Sequence, residues 1–280
     1  VVPNVFNYIH EINFQKFYET TTSDEQIAMA FSREGGLLSF IEDIIGMLYE
    51  SYTYDKYIID KYMLCRRIVD GTVTPSVIEM ENVYARQIVT QVKAVSNKLT
   101  FRSPKYNPAG IRRATSFDDQ ILIVSTEFEA QFSTEVLATS FFKDEAEMRS
   151  HLALCDGFGT HDDARLTELL GDQYTPFTDE EKKTLEKVPA VLVSREWFMD
   201  YEYELTLDGT ARYTEFFNPT TLRANHYLHT WGVFSTSPFE NATVFVDTKG
   251  AVDTVTVTPD TASLAVGAML GLTAVVSGTG

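Results

Sequence analysis

Cysteine is nearly absent: 280 residues carry two. Cys65 and Cys155 lie far apart in unrelated surroundings, so neither a disulfide framework nor a Cys/His zinc cluster can be drawn, and each reads as a reduced, buried thiol. Basic residues are also scarce, with 23 Lys and Arg against 40 Asp and Glu, a formal charge of -17. A surface so negative repels phosphate backbones, which argues against a nucleic-acid grip. No run of about 18 apolar residues occurs, so no membrane span is written in the chain. The opening Val1-Val2-Pro3-Asn4 has neither the charged nor the apolar region of a signal peptide. The start without Met, and the apolar run that stops at Ser277-Gly278-Thr279-Gly280 with no closing element, read as a chain cut from something longer.

What is present is apolar mass. Hydrophobic residues make up 44% and aromatics 12%, mostly 19 Phe and 14 Tyr, which suits one large or two ordinary globular domains. The first third reads as helical. Ser23 and Gln26 form a candidate capping box for a helix through Ala30. After Gly35-Gly36, the series Leu37, Ile41, Ile44, Leu48, Tyr52 steps by three or four and predicts a long helix, continued by Tyr57 to Val69 and stopped by Asp70-Gly71. Thr74-Pro75 looks like the cap and first turn of a second helix bearing Val77, Met80, Tyr84, Ile88, Val92, Val95 and Leu99. The prolines and glycine of residues 101–110 mark a loop.

Beyond it the pattern changes. Ile121 to Val124, Leu152 to Cys155 and Ala190 to Val193 are short continuous apolar runs, as in strands buried on both faces. Glu135 to Phe142 and a capped segment from Thr178 to Val188 read as short helices, and the rest of 159–189 as an exposed, loop-like insertion. Asp208-Gly209 between Tyr201 to Leu205 and Arg212 to Phe217 predicts a hairpin ended by Asn218-Pro219. His226 to Phe234 and Thr243 to Val246 give two more strands. Asp247 to Gly250 reads as a linker to a separate β segment, Val255 to Pro259 and Leu264 to Val276.

Catalytic patterns do not emerge. His226 and His229, three apart in a strand, point to opposite faces and cannot share a metal. His161 beside Asp162-Asp163 fits a solvated loop. Asp156-Gly157-Phe158-Gly159 lacks the third glycine and the following helix of a phosphate loop, and reads as a tight turn. Asn241-Ala242-Thr243 is a glycosylation sequon by pattern only. Arg112-Arg113 is the one compact basic feature, a solvated surface or a partner for a neighbour's carboxylates. No residue is assigned a catalytic, cofactor-binding or metal-ligating role.

The order of blocks resembles a known family. Phe14-Gln15-Lys16-Phe17-Tyr18, in the expected opening helical segment, Leu38-Ser39-Phe40-Ile41 and Lys98-Leu99-Thr100 are followed by Asp156-Gly157-Phe158. Then come Ala190 to Val193 with Trp197-Phe198-Met199, Asn225 to Trp231, Phe239 to Ala242 and Phe245-Val246. Together they are similar to the major capsid proteins of phi-twenty-nine-like small tailed bacteriophages. Val255 to Pro259, Ala262, Gly267 and Leu272 to Val276 resemble the start of a group-two bacterial immunoglobulin-like domain. The resemblance implies an α+β fold of the Hong Kong ninety-seven capsid type. It places a peripheral domain with a spine helix at 1–73, an axial domain at 74–210 with 159–189 inserted, peripheral return strands at 211–248, and the linker and immunoglobulin-like start at 249–280. It also implies a non-enzymatic shell subunit whose partners are copies of itself in hexamers and pentamers, with scaffolding protein and portal during assembly in the host cytoplasm. DNA would be enclosed without sequence-specific binding. Family members carry an N-terminal arm and an extended loop before the spine that have no counterpart here. The alternative from another class is a virion or cell-surface binding module that uses the immunoglobulin-like segment.

Overall fold

The computed structural model describes residues 7–32, 36–78, 85–131, 151–202, 213–247, 252–258 and 273–278. Its axis is a 34-residue helix, α2 (Gly36–Val69), preceded by strand β1 (Phe14–Ser23) and helix α1 (Asp24–Phe31). The capping box at Ser23 and Gln26 is formed, each side chain meeting the other's backbone N–H. Along α2, Ile44, Leu48, Tyr52, Ile59 and Tyr62 are buried at steps of three, four or seven, the period of one helix face. Burying each such side chain contributes about 2 kcal/mol. Ile41 departs from the expected stripe and stands 42% exposed. The helix ends where Gly71 takes φ 69° and donates to the Ile68 carbonyl at 3.1 Å, a left-handed stop that glycine adopts without steric cost.

β1 corrects the expected helical opening. Phe14, Tyr18 and Thr22 are its buried residues, and a spacing of four fits a helix face and a strand face alike; the run Thr20-Thr21-Thr22 tips it to strand. β1 pairs antiparallel with the 14-residue β8 (Arg223–Thr236), whose other edge holds β6 (Phe198–Glu202) and β7 (Tyr213–Asn218). The expected hairpin between the segments around Tyr201 and Tyr213 is therefore corrected. Both run antiparallel to β8, hence in the same direction, lying along one edge of it; its turn, Asp208-Gly209, lies outside the described residues. The even-numbered residues of β8 face α2, with the Phe14 and Phe234 rings edge to face at 5.1 Å and Tyr18 against Tyr52 at 6.0 Å.

A second sheet of five strands has the order β2-β9-β5-β3-β4: β2 (Thr74–Ile78), β9 (Ala242–Asp247), β5 (Ala190–Ser194), β3 (Gln120–Ser125) and β4 (Leu152–Cys155). β2 corrects the helix expected from Thr74. Pro75 cannot donate to a ladder, yet β2 is an edge strand, where that donor is dispensable. The helix proper, α3 (Ala85–Leu99), starts later. All of β5 is buried: Ala190 and Leu192 face the cluster of α3 with Val89 and Val92, while Val191 and Val193 face the cluster of α2. Two covered faces explain its unbroken apolar run. β4 sits at the other edge, and Leu154 is 56% exposed, so the double burial expected there is not realised. Both sheets cross the boundary expected at 210, since β6 joins β8 and β9 joins β5.

After α4 (Thr126–Gln131), the chain from 159 to 189 is more ordered than the expected loop. It holds α5 (Asp163–Leu170), capped by Asp162, and α6 (Asp179–Glu186), which carries the expected Thr178–Glu181 capping box. Leu166, Leu169, Tyr174, Phe177, Leu185 and Val188 all enter the core around α2. Tyr62 meets the rings of Tyr174 and Phe177 at 5.1 and 5.6 Å. At the turn that leads in, Phe158 is buried between Gly157 at φ 132° and Gly159. A Cβ on Gly159 would collide with the Glu186 side chain and stand 3.1 Å from the Lys182 carbonyl oxygen. Gly159→Ala is therefore expected to destabilise the protein by about 1 kcal/mol; equal urea midpoints for variant and wild type would show that α6 gives way freely. β10 (Val252–Thr258) and β11 (Thr273–Gly278) form a separate antiparallel pair. The expected helix at Glu135 to Phe142 and the linker residues 248–250 lie outside the described residues.

Candidate functional site

The middle of α2 breaks its apolar pattern with Asp55, Lys56, Asp60 and Lys61, and each turns out to hold another element. Asp55, fully buried, accepts from Arg165 Nε at 2.8 Å and Nη2 at 2.7 Å, and from the Tyr18 hydroxyl at 2.7 Å. One carboxylate thus fastens α2 to α5 and to β1. Burial and the Asp55 carboxylate push the Tyr18 phenol up, and the same carboxylate raises the Arg165 guanidinium. Lys61 Nζ donates to Asp156 Oδ1 at 2.5 Å beside the Tyr57 hydroxyl at 2.7 Å. Burial presses the Asp156 carboxyl upward, but the hydrogen bonds from Lys61 and Tyr57 outweigh it and hold the group below its ordinary value. At the start of α5, Lys182 and Tyr174 donate to Asp163 and lower it in the same way.

A third contact ties α2 to β6. Tyr52, Lys56 and Asp60 follow one another at i, i+4 and i+8 and face alternate residues of the strand. The Tyr52 hydroxyl donates to Glu202 Oε1 at 2.5 Å, Lys56 Nζ lies 3.3 Å from Asp200, and the Asp200 charge bears on Asp60. Burial first, and the Asp200 charge second, push the Asp60 carboxyl up to about 8.

These side chains fasten elements of the chain to each other. Among the described residues, no group of three or more His, Cys, Asp or Glu is placed to hold a metal ion. His226 and His229 do fall on opposite faces of β8. His161 sits not in a solvated loop but half-buried, its ring 4.5 Å from that of Phe177; burial and the nearby Lys61 charge lower it to about 4 and keep it neutral. Asp162 and Asp163 are a helix cap and an ion-pair partner. Asp156 to Gly159 is a turn, as expected. Cys65 and Cys155 are free and buried, and burial raises both thiols. Arg113 pairs within its own chain, with Glu240 and with Glu196 at 3.1 Å, whereas Arg112 is exposed. Asn241 is fully buried and bonded to Asn107, Thr115 and the Arg113 carbonyl, which removes it as a glycosylation acceptor. Sequence reading missed Asp55–Arg165 and Asp60–Asp200. Its one available signal was the cluster of charge at steps of one, four and five inside an apolar helix.

Comparison with known proteins places this architecture. The profile of a family described as Phi29-like phage major capsid protein matches residues 1–246. The major capsid protein of Bacillus phage B103 is 30% identical over 99% of this chain and 57% of its own length, and that of Bacillus phage GA-1 is 27% identical over 98% and 54%. The chain thus spans a little over half the length of these relatives. Among solved structures, one titled "Capsid structure of Staphylococcus phage Andhra" superposes with a TM-score of 0.58 at 12% identity, covering 84% of this chain and 70% of the other. At that identity the likeness is one of fold.

Proposed function

Because this chain belongs to the Phi29-like phage major capsid protein family, we propose that it is the structural body of a shell subunit, of Hong Kong ninety-seven type, that assembles into the hexamers and pentamers of a closed icosahedral head. The observation that carries the reading is α2, a 34-residue strut laid across the β1-β8-β6 sheet and fastened along its length by Asp55, Lys56 and Lys61. A subunit that must repeat without change of shape needs such rigid, internally satisfied joints. The peripheral domain is then residues 1–73 with 211–248, built on α2, β1, β7 and β8 and completed by β6 from the other domain. The axial domain is 74–210, built on α3, β2, β3, β4 and β5 with β9 lent by the peripheral chain and 159–189 inserted, and 249–280 link to and begin an immunoglobulin-like domain. The family match spans the body rather than that C-terminal segment, which favours a shell over a binding module.

On this reading the protein catalyses nothing, assembles in the host cytoplasm with a scaffolding protein and a portal, and encloses DNA without reading its sequence. Its net charge of -17 is compatible with that role, since packaged DNA is neutralised largely by its own counterions. Electron microscopy of the complete protein with its scaffolding partner and portal is the test. Closed shells with sixfold and fivefold capsomers are expected; a protein that stays monomeric at high concentration would overturn the reading.

A further inference from the structure

The β1-β8-β6 sheet has a second face, turned away from α2, and that face too is rich in aromatic side chains. Strand parity places Phe17 of β1, Tyr201 of β6, Phe216 of β7 and Tyr227, His229 and Val233 of β8 on it. Phe17, Tyr201 and Phe216 are 58%, 57% and 61% exposed. The patch is continuous at its centre, with the Phe17 ring 6.1 Å from Tyr227 and 6.2 Å from His229, and Tyr227 stacked on His229 at 6.3 Å. Exposed aromatic surface of this kind marks an interaction site.

We propose that this outward face is a subunit contact seated against a second copy of the same chain, an inference that rests on the shell reading above. Charge points to that occupant. Copies carrying -17 each repel, and contact is tolerable only where the surface is locally neutral, because screening acts over roughly 8 Å. Among the described strand residues of this face, the charged side chains are Glu19 and Arg223, of opposite sign. A strongly basic partner would instead be met by a cluster of carboxylates, where this face offers only Glu19, offset by Arg223. Size says how the contact works. About 10 residues of three strands make a patch of roughly 33 by 14 Å, on the order of 500 Å², against about 800 Å² per partner in a self-standing complex. Such a contact holds only alongside others, as in a shell where every copy has several neighbours.

The test uses the complete protein in two forms. Phe17→Asp and Phe216→Asp place a charge on the face at exposed positions, so the melting temperature of the free subunit should not change, while the yield of sedimenting shells falls roughly tenfold. Separately, p-benzoylphenylalanine at position 216 keeps an aromatic ring there, and irradiation of assembled shells should give products of twice the chain mass with both linked peptides from this chain. Shells at wild-type yield from both charged variants overturn the proposal. So do crosslinks only to scaffolding protein or DNA, or none at all in intact shells. A wild-type protein that never forms shells fails differently: it overturns the shell reading itself.

Discussion

Replacing Arg165 by methionine is expected to lower stability by about 3 kcal/mol near neutral pH, the low end of the cost of breaking a buried ion pair. The loss arises less from the missing attraction than from what remains. Asp55 has no exposure and would keep only the Tyr18 hydroxyl as donor, while methionine fills much of the volume of the arginine stem. The low end applies because the Arg165 side chain is 31% exposed and part of its field is already screened. Adding Asp55→Asn to Arg165→Met should recover most of the loss, as a double-mutant cycle in urea would show. If the single variant melts with the wild type, α5 is not held to α2 by this pair.

That joint was out of reach of the sequence, although much around it was legible. The long helix could be read because α2 carries its apolar residues at steps of three and four, and β5 because both its faces are covered. The cap at Thr178 was visible for a local reason, a side chain bonding to a backbone three residues on. Position 14 to 22 misled because a spacing of four serves two periodicities. β8 hid its orientation because its two faces differ little in hydropathy: Ala224, His226, Leu228 and Thr230 point inward while Tyr227 and Val233 point outward. Asp55 and Arg165 meet across 110 positions, and nothing local couples them. The family resemblance supplied what periodicity could not, a reason to expect the long helix to act as a spine. It did not supply the polar residues that fix the spine in place.

The contact between α2 and β6 should make the fold pH-sensitive in the neutral range. Asp60 is pushed up to about 8 by burial and by the Asp200 charge, against an ordinary value of 3.8. The folded state therefore holds a proton on this group that the unfolded chain releases above about pH 4. Since stability falls with pH wherever the folded state binds more protons, the loss spans the window from about 4 to 8 and is complete above it. Asp60→Asn removes the titration and fills nearly the same volume. The variant should match the wild type near pH 4 and exceed it by about 2 kcal/mol near pH 9, less than a full shift of this size would give because Asp200 and Lys56 share the proton's field. Urea unfolding across that range reads the difference directly. Parallel curves for the two proteins would mean that Asp60 reaches water in the folded state, and that Tyr52–Glu202 and Lys56–Asp200 alone hold β6 against the spine.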